Sequence, residues 1–337
     1  MKNNIRIAID AMGGDGGPSV IMPAISNFLN DNKEVSVTAY GDENFLNQYV
    51  TGFKDNIIDR LDVVNTQDNI SSDESPVSAL RNKKKSSMRL AIESVNKKES
   101  DACVSAGNTG ALMAISKYVL GTLKGIDRPA IETMLPSLKG HTHVLDLGAN
   151  VDCKAEHLYQ FAVMGSVLCM VLDDNESPKV GLLNVGQESI KGNVQVKEAD
   201  LLLKKGKLNY IGYVEGDEIF CGDVDVVVCD GFIGNIALKT SEGIAKFMGR
   251  RLKDEYTKNL FTKIAGVSSA RVINSFKKVV DPRRYNGASL LGLKGVIVKS
   301  HGGADQLAFE CSLEMALKEA IQAVPSCIDS KLEELLR

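Results

Sequence analysis

Short aliphatic and β-branched runs recur along the chain at 5–10, 35–40, 61–64, 102–105, 144–148, 180–185, 210–214, 224–229 and 295–299. Runs this continuously apolar suit strands covered on both faces, and so a largely parallel sheet. Between them, 19–29, 87–98, 155–171, 191–205 and 303–323 read as helices. The alternation predicts an α/β fold with three layers, helices lying on both faces of a mostly parallel sheet. No internal repeat or low-complexity linker breaks the pattern, so one two-lobed unit over 1–337 is expected rather than two separate domains.

From Glu242 to Arg284 the pattern changes. Ile244, Met248, Leu252, Tyr256 and Leu260 fall every four positions, and Val272, Ile273, Phe276 and Val280 mark a second amphipathic stretch, together predicting a protruding helical hairpin. Its tip, with Leu260, Phe261, Ile264 and Val267, is apolar where a solvent-facing turn is normally polar. The segment holds eleven Lys/Arg and four Asp/Glu, a local charge of +7, which leaves −10 for the rest of a chain whose total is −3. A basic segment with an apolar edge fits an anionic membrane surface or an acidic protein; dimer packing is the alternative. The patch lacks interleaved base-stacking aromatics, which argues against nucleic acid.

Composition is that of an ordinary globular protein, 44% hydrophobic and 25% charged. No run reaches the roughly 20 apolar residues needed to span a bilayer, and the N-terminus has no signal-peptide pattern, so a cytoplasmic location is expected. The seven cysteines form no C-x-x-C pair, and no disulfide framework or zinc site is predicted. His141-Thr142-His143 has no carboxylate or cysteine cluster near it in sequence, so no metal is expected there.

Ligands of open α/β sheets bind beyond the carboxyl ends of the strands. Those positions are small and polar here. Asp10, Gly13, Gly14 and Asp15 follow the first strand, and Asn108 and Thr109 the fourth; both loops feed helices and suit an anion. Later strand ends supply Asn150, Asp152 and Lys154, then Lys191 and Asn193, then Asp230 and Asn235, and lastly His301. The sequence lacks G-x-G-x-x-G after the first strand, G-x-x-x-x-G-K-[ST], and G-x-S-x-G, which counts against a dinucleotide fold, a P-loop NTPase and an α/β-hydrolase. Residue chemistry thus points to a site that holds phosphate and polarises a carbonyl.

Read as whole phrases, the chain resembles the acyl-acyl carrier protein:phosphate acyltransferases. The match includes Ile-Asp-Ala-Met-Gly-Gly-Asp at 9–15, Ser-Ala-Gly-Asn-Thr-Gly-Ala at 105–111, and Leu-Asp-Leu-Gly-Ala-Asn-Val-Asp-Cys-Lys at 145–154. It continues through 76–81, 181–186, 190–193, 226–235 and 238–243. Gly16 departs from it, standing where that family's pattern carries histidine. The resemblance implies an isocitrate/isopropylmalate dehydrogenase-like fold, a homodimer, inorganic phosphate as acceptor and no cofactor. The partners it suggests are acyl carrier protein, the membrane surface and a membrane-bound glycerol-phosphate acyltransferase.

On this reading the 13–14 and 108–109 loops hold phosphate, Lys191 and Asn193 neutralise phosphate or the tetrahedral oxyanion, and His157 or His301 protonates the departing thiol. A helix-structural role is the alternative for His157. Two rival functions stay open: a phosphate acetyltransferase-like enzyme using acyl-CoA, and a non-catalytic phosphate- or lipid-binding protein.

Overall fold

The structure is a computed structural model in which residues 4–335 are described. Its strands are β1 (Ile5–Asp10), β2 (Val35–Gly41), β3 (Leu61–Asn65), β4 (Ala102–Ser105), β5 (Ala130–Ser137), β6 (Gly140–Leu145), β7 (Val180–Leu183), β8 (Tyr210–Val214), β9 (Val226–Val228), β10 (Ala288–Leu291) and β11 (Val296–Lys299). The helices are α1 (Pro18–Asp31), α2 (Glu43–Val50), α3 (Asp55–Ile58), α4 (Pro76–Asn82), α5 (Ser87–Asn96), α6 (Thr109–Leu120), α7 (Ala155–Leu172), α8 (Val194–Lys205), α9 (Gly231–Thr257), α10 (Leu260–Ser268), α11 (Ala270–Val280), α12 (Gln306–Ile321) and α13 (Val324–Leu335).

Among the described residues eleven strands form one sheet, in the order β3-β2-β1-β4-β11-β10-β5-β6-β9-β7-β8. Strands β3, β2, β1, β4 and β11 are mutually parallel. Strand β10 is antiparallel to β11 and to β5, and β5 is antiparallel to β6. Strands β6, β9, β7 and β8 are parallel again. Three reversals separate the two parallel blocks, so the blocks run in opposite senses. Residues following strands of both blocks nevertheless meet at one cavity: Thr109 and His301 follow β4 and β11, and Gly148 and Asn235 follow β6 and β9.

Side chains alternate across the sheet. Ile7, Ile9, Val104, Leu145, Leu182 and Val298 join the core beneath α1, α7 and α12, while Ala8, Cys103, Val144, Val227 and Ile297 join a second core with α5 and α6. Period-2 alternation with both faces apolar produces the three layers. Helix α7 is long and apolar enough to cross a membrane by composition, yet 78% of it is buried. Helices α8 and α13 cover the side of α7 that the sheet does not.

Several elements differ from expectation. Strands β5 and β10 are not evident in the pattern, because Glu132, Thr133 and Pro136 interrupt the first and the second has only four residues. Helix α9 begins at Gly231, within the segment that supplies Asp230 and Asn235 as strand-end residues. Asp230 caps it, its Oδ1 accepting the N–H groups of Phe232 and Ile233 at 3.0 and 2.9 Å. The predicted hairpin resolves into α9, α10 and α11, and no residue of α10 or α11 is buried.

Candidate active site

Three loops of the first parallel block meet at one edge of the sheet. After β1, Gly13 and Gly14 pack so tightly that side chains would not fit: a Cβ on Gly13 would lie 2.6 Å from the Gly107 nitrogen, and one on Gly14 2.9 Å from both Ala106 Cβ and the Gly302 carbonyl. The Asp15 N–H donates to the Gly302 carbonyl at 2.8 Å. The glycines therefore join the loops after β1, β4 and β11. The crevice left between them is about 10 Å³, room for no more than a water-sized group.

Behind these loops Asp10 is buried and accepts hydrogen bonds from Ser87 Oγ and Ser105 Oγ, each at 2.6 Å. Burial raises its pKa against those hydrogen bonds. Ser105 Oγ in turn accepts the Gly107 N–H at 3.0 Å, which fixes the turn into α6. Lys299, the last residue of β11, is also buried; its ammonium donates to the carbonyls of Ala106, at 3.3 Å, and Ser300. Burial pulls the Lys299 pKa down to about 8, opposed by the nearby charge of Asp10.

A cavity of about 1400 Å³ opens in front of Lys299. One end is polar, lined by Thr109, Asn235, Lys239, Lys299 and His301. The rest is walled by apolar side chains, among them Leu135 and Leu147 of the body and Ile244, Met248, Leu252, Phe276 and Val279 of α9 and α11. At the polar end His301 Nδ1 accepts the Gly303 N–H at 3.0 Å, so the proton of the neutral ring sits on Nε2. Desolvation lowers the His301 pKa, with Lys239 adding to the effect, and favours that neutral form. Lys239 Nζ lies 3.3 Å from the same Nε2. Lys239 Nζ also pairs with Glu242 Oε2 at 3.1 Å, and an anion entering beside it would accept from both Nζ and Nε2–H. The first-turn N–H groups of Thr109 and Gly110 have no intrahelical acceptor and add to this field.

The other sequence-predicted residues take different places. The Asn108 amide is occupied: its oxygen caps α6 and its nitrogen clamps the carbonyls of Ser72 and Glu74, each at 2.9 Å. Asp15 is exposed at the loop edge. Asn150 and Asp230 build the turn into α9, where the Gly231 N–H donates to the Asn150 carbonyl at 2.8 Å, and Asp152 and Lys154 are exposed on the same edge. Asn193 caps α8 through the Val196 N–H, and Lys191 is exposed beside it. Strand β7, whose end leads to both, lies five strands from β11, about 24 Å across the sheet. His157 Nδ1 accepts the Lys154 N–H at 3.1 Å, a helix cap outside the cavity. Of the expected groups, Thr109, Asn235 and His301 come together; Lys239 and Lys299 join them without having been singled out. Lys299 ends an apolar strand, and only its position two residues before His301 hinted at the site.

Away from this cavity the His141–His143 pair does meet a carboxylate. Asp173, at the end of α7, reaches both rings, which corrects the expectation drawn from sequence separation.

A sheet of this topology, with a polar, cation-lined pocket running into an apolar one, defines an α/β enzyme of the phosphotransacylase fold. Solved structures agree: a phosphotransacetylase from Streptococcus pyogenes aligns with TM-score 0.65 at 15% identity, covering 96% of this chain and 95% of that one. A phosphotransacetylase from Staphylococcus aureus gives 0.59 at 14%, covering 96% and 94%. The family model described as "Fatty acid synthesis protein" matches residues 5–326. The phosphate acyltransferase of Methylococcus capsulatus is 53% identical over 98% of this chain and 97% of its own, and that of Nitrosococcus oceani 50% over 99% and 98%. The chain belongs to the phosphate acyltransferase family and is an acyltransferase of fatty acid and lipid synthesis.

Proposed function

We propose that the chain transfers a long-chain fatty acyl group from acyl carrier protein to inorganic phosphate, forming acyl phosphate for phospholipid synthesis. One observation carries this reading: the apolar part of the cavity continues directly from the end holding Lys239, Lys299 and His301. Its volume exceeds the ~300–1,000 Å³ typical of small-ligand pockets and suits a long chain better than an acetyl group.

In the proposed reaction a phosphate oxygen attacks the thioester carbonyl, and the carbon–sulfur bond breaks as the tetrahedral oxyanion collapses. Lys239 and His301 Nε2–H hold the phosphate, and the N-terminus of α6 faces the developing charge. Lys299 donates its proton to the leaving thiolate and regains one from the phosphate hydroxyl, so that the sum is acyl phosphate and thiol. The grouping with isocitrate and isopropylmalate dehydrogenases and the homodimer rest on resemblance. The basic segment with Phe261 and Ile264 at its exposed tip supports contact with an anionic membrane, where a membrane-bound glycerol-phosphate acyltransferase would receive the product.

The test compares palmitoyl-acyl carrier protein, palmitoyl-CoA and acetyl-CoA as donors to phosphate with the purified protein. The reading requires acyl phosphate to form fastest from the carrier-protein donor; faster turnover of acetyl-CoA would replace it with the acetyltransferase alternative.

A further inference from the structure

The second parallel block carries a polar cluster that the acyl-transfer chemistry does not use. His141 and His143, two residues apart on β6, project to the same side, and Asp173 approaches from the end of α7. Asp173 Oδ2 lies 3.0 Å from His141 Nε2 and 2.7 Å from His143 Nε2, and the three donor atoms fall within 4.8 Å of one another. We propose that His141, His143 and Asp173 bind one zinc ion, leaving the fourth coordination position to solvent.

The geometry supports this in four ways. Tetrahedral zinc with bonds of ~2.0–2.1 Å sets its ligand atoms about 3.3 Å apart, so the separations from Asp173 must open slightly while the two imidazole nitrogens, within 4.8 Å of each other, draw together. Two imidazoles and a carboxylate with one open position form a set that zinc takes in its reactive sites. His143 also has the outer partner typical of a metal-bound histidine: Glu132 Oε1, fully buried, faces His143 Nδ1 at 2.7 Å and fixes Nε2 toward the ion. Lys318 Nζ, 3.7 Å from Asp173 Oδ1, holds the oxygen that the metal would not use. On binding, zinc displaces the proton shared between His143 Nε2 and Asp173 Oδ2. An ion can enter because the His141 and Asp173 side chains remain 31% and 21% exposed, whereas His143 is 1% exposed.

The scaffold is rigid. A strand supplies two ligands, and the third caps a helix buried over most of its length. Neither element contributes a residue to the acyl cavity, so the zinc prediction stands or falls independently of the donor assay.

The experiment equilibrates tag-free, full-length protein with zinc, desalts it and measures bound metal, with cobalt as a spectroscopic substitute. Wild type should retain one zinc per chain, show a higher melting temperature with zinc than with EDTA, and give the intense visible absorption of four-coordinate cobalt. His141→Gln, at a partly exposed position where folding should be preserved, should lose the bound zinc, the melting shift and the cobalt bands. Glu132→Gln, a positioning change, should weaken zinc by about 10–100-fold while keeping the four-coordinate spectrum. Less than about a tenth of a zinc per chain in wild type, or equal retention by His141→Gln, would overturn the site; the latter outcome would place the metal elsewhere on the chain.

Discussion

Lys299 Nζ donates to the carbonyl of Ala106 at 3.3 Å, tying the end of β11 to the loop that begins α6. The same ammonium faces the cavity and is held near pH 8 by burial. Lys299→Met should therefore lower kcat/KM for acyl-phosphate formation by roughly 10²–10³-fold, the cost of removing one charged donor from a preorganised site. In wild type, kcat/KM should fall as pH rises through about 8, as the cation is lost. The stability effect has the opposite sign. The unfolded lysine binds its proton up to its ordinary pKa of 10.5, above the folded value, so stability rises between about pH 8 and 10.5. A urea titration of Lys299→Met across that range should show a flatter rise than wild type.

His301 works through the tautomer that Gly303 selects. A glutamine amide can place an N–H near the position of Nε2, whereas alanine cannot. His301→Gln should retain activity within about tenfold of wild type, and His301→Ala should lose roughly 10²-fold. Protonating the ring would turn Nδ1 into a donor facing the Gly303 N–H, and the lowered pKa moves that event further into acid. Wild-type kcat/KM should then decline only below the ordinary histidine range, and His301→Gln should lose that acid limb. An unchanged acid limb in the variant would assign it to another group.

Gly234 explains why α9 starts where it does. A Cβ there would lie 1.9 Å from the Asp146 carbonyl oxygen, so the first turns of the helix can pass the end of β6 only with glycine at this position. Gly234→Ala should destabilise by about 1–3 kcal/mol through overpacking, although alanine favours helix elsewhere. Urea unfolding checks the sign: a stabilised variant would mean that the helix has room to shift.

That glycine also marks the limit of what the sequence made legible. Asp-Gly-Phe-Ile-Gly-Asn at 230–235 resembles a ligand loop because glycine is common in loops, yet here it serves helix–strand contact. The apolar runs located nine of the strands, because alternation and burial leave a direct trace in residue type. Strand direction leaves no such trace. The reversals through β10 and β5 depend on pairings of short, polar-interrupted segments, and the strand order they set leaves β7, which leads to Lys191 and Asn193, five strands from β11 and His301. Lys299 was hidden for a related reason: a lysine ending a strand is ordinarily solvated, and only the fold reveals that this one is buried.

The exposed tip of α10 gives a prediction independent of catalysis. Phe261 is 83% exposed and Ile264 57%, on a segment with excess positive charge. Replacing both with aspartate should abolish flotation with vesicles rich in anionic lipid while leaving turnover of a soluble acyl donor unchanged. Equal flotation of the variant and wild type would remove the tip from membrane contact.

Chain-length preference should be set by the apolar wall. Leu252 of α9 faces the cavity together with Met248 and Phe276, at a distance along the helix from Lys239 of thirteen residues, or about 20 Å at 1.5 Å per residue. A 16-carbon chain anchored at Lys299 and His301 would reach that depth, whereas an acetyl group would end at the polar rim. Leu252→Trp adds bulk there without touching the reacting end. It should lower kcat/KM for a 16-carbon donor by about tenfold or more and leave a four-carbon donor unaffected, since a pocket discriminates by the contacts its walls make in the transition state. Assaying both donors with the same variant separates this from general damage. A parallel loss for both lengths would mean that the wall supports the fold rather than the acyl chain, and the chain would then have to leave the polar end by another path.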